Sequence, residues 1–256
     1  MSSDDLIFIP ARDELRIKQD DREEIIRLVR DITSYSKKCI FSCHRSIGLK
    51  KLKSELLEYF KILSDRLKKI RIMYITNLHL RGNISGAIEE LIEFFTFAYF
   101  KNTGKLLPYN DFIIMIKCLI LEKFEFIDYL IEDKELEKVD DEIEIDFIDT
   151  SDYLMGLFDC TGEIMRLSIS QSTNTSGNFK AKETWENYKF LQKLYEQFII
   201  LVQLYPGISI YKGIYDNSIN SKGSISFKKK LEVFESSVKK IEATLIDMLV
   251  SDKEII

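Results

Sequence analysis

DYLMGLFDCTGEIMRLS, residues 152–168, carries Leu, Met, Phe and Ile on nearly every side of a helical projection, yet Asp159 and Glu163 stand in it four residues apart, with Gly156 and Gly162 beside them. A helix that is apolar nearly all round is a buried helix. A carboxylate inside such a helix is costly unless something positive meets it. The stretch therefore predicts a helix packed within a bundle, and a charge partner for its acids.

The rest of the chain supports a helical setting. Of 256 residues, 45% are apolar while only 3 are Pro and 10 are Gly, a balance that favours long helices over a turn-rich β fold. Ile25, Leu28, Val29, Ile32, Tyr35, Cys39, Ile40, Cys43 and Ile47 recur at steps of three and four, which predicts a helix over about 13–46. Leu52, Leu56, Leu57, Phe60, Leu63, Leu67, Ile70 and Met73 repeat the pattern over 49–76. A break is expected near RGNISG, with Ser85 as N-cap of a helix running to about 102, where NTGK stops it. Pro108 precedes a helix to about 131; the acid-rich stretch 131–152 then reads as a charged connection, partly helical. The 152–168 helix extends to about 170, QSTNTSGN is a loop, and helices follow over 182–204 and 224–251, separated by a loop over 205–223. The expectation is an all-α fold: an antiparallel bundle of about seven helices forming a single domain over 1–256, with residues 1–12 as a flexible tail.

Four dispersed cysteines and the polar start MSSDD, read as lacking a secretory leader, predict a reducing intracellular setting, the cytoplasm and secondarily the nucleus. Cys39, Cys43 and His44 suggest a zinc site only weakly, because no second ligand pair follows at zinc spacing and both cysteines continue an apolar stripe. Apolar runs such as FIIMIKCLIL are too short to span a membrane. The net charge of −5 hides a segregation: about twelve Lys and Arg against three acids over 32–82, and about six against twenty over 83–165. The basic part suits a phosphate backbone or, equally, solvated outer helix faces.

A second acid pair lies in IEELIEFFTFAYF, where Glu90 and Glu93 are three apart and so share a face, continued by Phe94, Phe97 and Lys101. Glu89 points elsewhere and reads as surface. In the 152–168 helix, Asp152, Gly156, Asp159, Glu163 and Arg166 form one stripe. Packed side by side, the two helices would bring Glu90, Glu93, Asp159 and Glu163 together as an all-oxygen site for Mg²⁺ or Mn²⁺. The competing arrangement is a structural ionic network in which Arg166 neutralises Glu163 and Lys101 neutralises Glu93. Spacing alone leaves both open.

DYLMGLFDCTGEIMRLSIS resembles the DYLxGxxDLTGELMR stretch of the TRAX branch of the translin/TRAX family; RDITSYSKKCIFSCHR, residues 30–45, resembles the family's RDITxxSKRxIFxxHR, and ISGAIEELIEFFTFAYF its QEYVEAxSFxxF segment. The translin side of the family lacks the ExxE pair and the Asp, so the likeness is to its catalytic side, the TRAX subunit of the C3PO endoribonuclease. Cys160 stands where Leu is usual, Glu89 where Gln is usual, and Gly86-Ala87 in place of Pro-Gly.

The resemblance implies a translin-like α-helical bundle and a Mg²⁺-dependent endoribonuclease subunit that cleaves single-stranded RNA. Glu90, Glu93, Asp159 and Glu163 would be its catalytic and metal-holding residues, and Mn²⁺ is a second fitting ion. It further implies a translin-like partner in a closed hetero-oligomer, single-stranded DNA as a second polymer, no membrane, and uses in RNA silencing, by passenger-strand removal, and in transfer-RNA precursor processing. Arg30, Lys37 and Arg166 are candidates for phosphate contacts, with ion pairing or packing as the competing role for each. Phe227, Leu231, Phe234, Val238, Ile241 and Leu245 offer either an interface or intramolecular packing. A non-catalytic nucleic-acid-binding or scaffold subunit with structural acids is the alternative function, and a plain helical adaptor the third.

Overall fold

A computed structural model of the full chain describes residues 3–45, 48–132, 134–136, 143–173, 178–205 and 222–254. Among the described residues, regular structure is entirely helical: α1 (Ser3–His44), α2 (Leu49–Thr76), a single 3-10 turn at Leu78–Leu80, α3 (Arg81–Thr103), α4 (Tyr109–Ile120), α5 (Ile127–Glu132), α6 (Thr150–Thr173), α7 (Asn178–Leu204) and α8 (Lys222–Glu254). The all-α expectation holds, with eight α-helices in place of about seven. No helix among the described residues is long and apolar enough to cross a membrane. The chain divides into two compact units, the first made of 1–91 and 108–149 and the second of 92–107 and 150–256, so that α3 contributes to both.

The first unit is built on α1 and α2. The periodic residues Ile25, Leu28, Ile32 and Cys39 of α1, and Leu56, Phe60, Leu63, Leu67 and Ile70 of α2, are buried. Each such side chain contributes about 1.5–3 kcal/mol relative to exposure. Polar contacts fix the register. Ser42 Oγ donates to Glu55 at 3.0 Å, Arg66 Nε to Asp31 at 2.7 Å, and Asn77 Nδ2 to Asp21 at 3.0 Å. As the α1 numbers fall, the α2 numbers rise, so the two helices run antiparallel. Phe60 then stacks on Phe126 at 5.2 Å, and Lys53 of α2 pairs with Asp128 of α5.

In the second unit α6, α7 and α8 pack on one another. Their core is aromatic: the Phe158 ring lies 4.2 Å from Phe198 and 5.1 Å from Phe227, and Phe198 lies 6.1 Å from Phe234. Phe227, Phe234, Val238, Ile241 and Leu245 are buried within this unit and Leu231 is half-buried, so the stripe read as a candidate interface serves intramolecular packing. The Phe100 ring sits 4.7 Å from Phe190, and the Tyr153 hydroxyl donates to the Leu107 carbonyl. Both contacts hold the last turn of α3 and the chain after it against the α6–α8 core.

Several boundaries differ from the sequence reading for identifiable reasons. α1 begins at Ser3 and contains Pro10, although 1–12 reads as a tail. The break before α3 falls at Asn77 and not at RGNISG, which is already helical; Ser85 lies inside the helix and donates to Glu89 at 3.2 Å instead of capping. The stop at NTGK is as expected, with Gly104 at φ +70. The single helix expected after Pro108 is two. Glu122 takes a left-handed conformation at φ 59, and the amides of Glu122 and Lys123 close back on the carbonyls of Leu119 and Cys118 at 3.2 and 2.9 Å. That is a Schellman ending without its usual glycine. Most of the expected 205–223 loop and part of the acidic connection lie outside the described residues.

Candidate functional site

α6 owes its place to its own sequence: Met155, Leu157, Phe158, Cys160, Ile164 and Leu167 are all buried, which leaves the acids to share that interior. Glu163 is 5% exposed and Asp159 half-buried. Glu93, on the part of α3 belonging to the same unit, is 8% exposed. All three acids lie in one unit with Cys160 and act on its thiol. Burial pushes the Cys160 thiol well above its ordinary range, and the charges of Glu93, Glu163 and Asp159, in that order, push it further. The charges that reach this thiol thus come from two helices, α3 and α6. Glu90 stands one turn before Glu93 on α3.

Cations meet these acids. Arg166 bonds to the Glu163 carboxylate, as the expected ionic network has it, with the carboxylate side chain 6% exposed and the guanidinium 68%. Lys230 Nζ of α8 donates to Asp159 Oδ2 at 2.7 Å and to the Met155 carbonyl at 3.2 Å. Lys37 Nζ of α1 lies 3.6 Å from Glu90 Oε2, with Lys37 65% and Glu90 16% exposed. Arg30 is exposed on α1. Glu89, read as surface, is half-buried because Ser85 holds it.

The donor chemistry suits a hard divalent cation: carboxylate oxygens, with no imidazole among them. The carboxylates do not stand as a finished coordination group. Among the described residues, no three His, Cys, Asp or Glu are placed so as to hold one metal ion. Cys39 and Cys43 are buried free thiols, with Cys39 raised well above its usual range by burial and by Cys43, as expected for core cysteines. Gly162 has open space beside it: a Cβ built there meets nothing within 4 Å.

Lys230 escaped the sequence reading. In SFKKKLEVF it is one of three consecutive lysines, but it alone stands three after Phe227 and four before Phe234, both buried, whereas Lys228 and Lys229 are exposed. A lysine inside an apolar stripe was the available signal.

The family pattern described as "Translin family" matches residues 20–252. The chain belongs to the translin family. Within it, the chain is similar to the Translin-associated protein X homolog of Schizosaccharomyces pombe, 26% identical over 251 residues, covering 92% of this chain and 84% of that protein. It is likewise similar to Translin-associated protein X of Mus musculus, 25% identical over 256 residues, covering 98% and 80%. Among solved structures, a chain of AfC3PO superposes with a TM-score of 0.56 at 19% identity, covering 94% of this chain and 96% of that one. One of apo-NeC3PO superposes with 0.55 at 17%, covering 97% and 98%. At those identities the superpositions establish the fold. Family membership and the all-α fold thus agree with the resemblance read from the motifs.

Proposed function

We propose that this chain is the catalytic subunit of a Mg²⁺-dependent endoribonuclease that cleaves single-stranded RNA in a hetero-oligomer with a translin-like partner. The observation that carries the reading is that Glu93 and Glu163, both buried, share one unit with the half-buried Asp159, in a chain whose relatives include proteins named translin-associated protein X. Buried carboxylates are costly, and helix packing alone does not require them.

Within the second unit, Glu93, Asp159 and Glu163 are the residues that would hold the ion, with Mn²⁺ as a substitute. A divalent cation supplies charge neutralisation at the scissile phosphate and a more acidic water. The chain's own groups do the remainder. One of the carboxylates takes the proton of the attacking water. Arg166, whose guanidinium is largely exposed, offers a fixed positive charge at the solvent side of Glu163, where a phosphodiester approaches. Lys37 and Arg30, exposed on α1, are candidates for backbone contacts outside the reacting centre.

A second reading has its own support: with Arg166, Lys230 and Lys37 against the acids and no finished coordination group among the described residues, the acids would be structural and the chain a non-catalytic nucleic-acid-binding or scaffold subunit. Cleavage of a single-stranded RNA by the chain assembled with its translin-like subunit, in Mg²⁺ and in EDTA, separates the two. The nuclease reading expects Mg²⁺-dependent cleavage that Asp159→Asn and Glu93→Gln each lower on the order of 10²-fold or more, with assembly intact. Intact cleavage in both variants would discard it.

A further inference from the structure

We infer that Lys230 is a positioning residue of this site, the resident counter-ion of Asp159, and that a divalent cation binds there in competition with its ammonium. The inference rests on the reading of the acids as metal ligands and adds to it a residue that sets their affinity.

Three features of the geometry carry it. Lys230 reaches the acid from a different helix, donating to Asp159 Oδ2 at 2.7 Å and to the Met155 carbonyl at 3.2 Å, so the ammonium is held at two points one helical turn apart. Its helix is locked in place, since Phe227 and Phe234 on either side of it pack their rings against Phe158, the residue next to Asp159, at 5.1 and 6.2 Å. The lysine side chain is 24% exposed, against 65% for Lys37 and 68% for Arg166, so its charge is screened less by solvent than theirs.

The electrostatic consequence follows directly. Asp159 meets the Lys230 ammonium and Glu163 the Arg166 guanidinium, all within one compact unit. A doubly charged ion that takes an oxygen of Asp159 must share it with the ammonium or displace it. Removing the ammonium leaves the acids more negative and the site more receptive. The same arrangement accounts for carboxylates that stand paired with side-chain cations and not as a coordination group among the described residues.

The test is Mn²⁺ binding to the full chain, followed by the electron paramagnetic resonance of the free ion, for the native protein, Lys230→Met, Lys230→Gln, Lys230→Arg and Asp159→Asn. Circular dichroism checks the fold of each. Competition predicts that Lys230→Met and Lys230→Gln bind Mn²⁺ about tenfold more tightly than native protein, the scale on which groups bracing a ligand act. Lys230→Arg, which keeps the charge, should stay within about threefold of native, under one tenfold step. Either neutral variant that folds suffices for the test. Unchanged or weaker binding in it, or equal tightening in Lys230→Arg, overturns the role of Lys230. Native binding that Asp159→Asn leaves intact would instead overturn the reading of the acids themselves.

Discussion

Acids meet cations in both units of this chain, and the surroundings separate scaffold from site. In the first unit, Asp31, Glu55 and Asp128 each meet Arg66, Arg45 or Lys53 across α1, α2 and α5, and their positions report helix register. In the second, Glu93 and Glu163 are 8% and 5% exposed and share their unit with Asp159 and the buried Cys160 thiol. A register pair needs one acid and one cation. Acids buried this deeply in an apolar interior cost more than register requires.

The comparison breaks first at its frame. Phe158→Ala removes the ring that holds α6 to α7 and α8 and should lower stability by about 3–5 kcal/mol in urea denaturation. A small loss would mean that the acids lack the rigid support claimed for them. Next comes the contrast between pairs. Arg166→Met leaves the buried Glu163 carboxylate without its guanidinium and should cost about 1–3 kcal/mol, much of it recovered when Glu163→Gln is added. Arg66→Met, at a pair whose side chains are 28% and 39% exposed, should cost about 1 kcal/mol or less. Equal costs in the two denaturation series would erase the distinction.

Much of this was legible in the sequence, and what was missed has local causes. The 49–76 helix was readable to the residue because Leu and Phe repeat without interruption and Gly48 precedes them. The helix after Pro108 was read through its break because Glu122, and not a glycine, takes the left-handed position. The acids were legible from spacing: i,i+3 and i,i+4 carboxylates in apolar helices are unusual enough to be noticed. Arg166 was legible in the same way, but Lys230 and Lys37 were not read as partners because they come from helices distant in the chain, and distance in sequence carries no spacing signal.

Two smaller effects sharpen the contrast. Gly162→Ala places a methyl in open space within a helix and should stabilise the chain by up to about 1 kcal/mol; a loss in thermal melting would show that the flank of α6 is closed. Asp128 titrates below its usual value because Lys53 and then Lys134 hydrogen-bond its carboxylate. A lowered acid contributes stability that is present well above pH 4 and lost as pH falls through the folded value. Asp128→Asn should therefore cost about 1 kcal/mol or less at pH 7, a cost that shrinks as pH falls through the folded value, seen as denaturation midpoints that converge on acidification.

The central claim is that Glu93, Asp159 and Glu163 form a divalent-cation site. Anomalous diffraction from crystals soaked in Mn²⁺ addresses it most directly. The account predicts a peak bonded to Asp159 and to Glu93 or Glu163, with the Lys230 ammonium moved off the Asp159 carboxylate. Crystals that bind Mn²⁺ elsewhere while these acids keep Arg166 and Lys230 and hold no ion would contradict it.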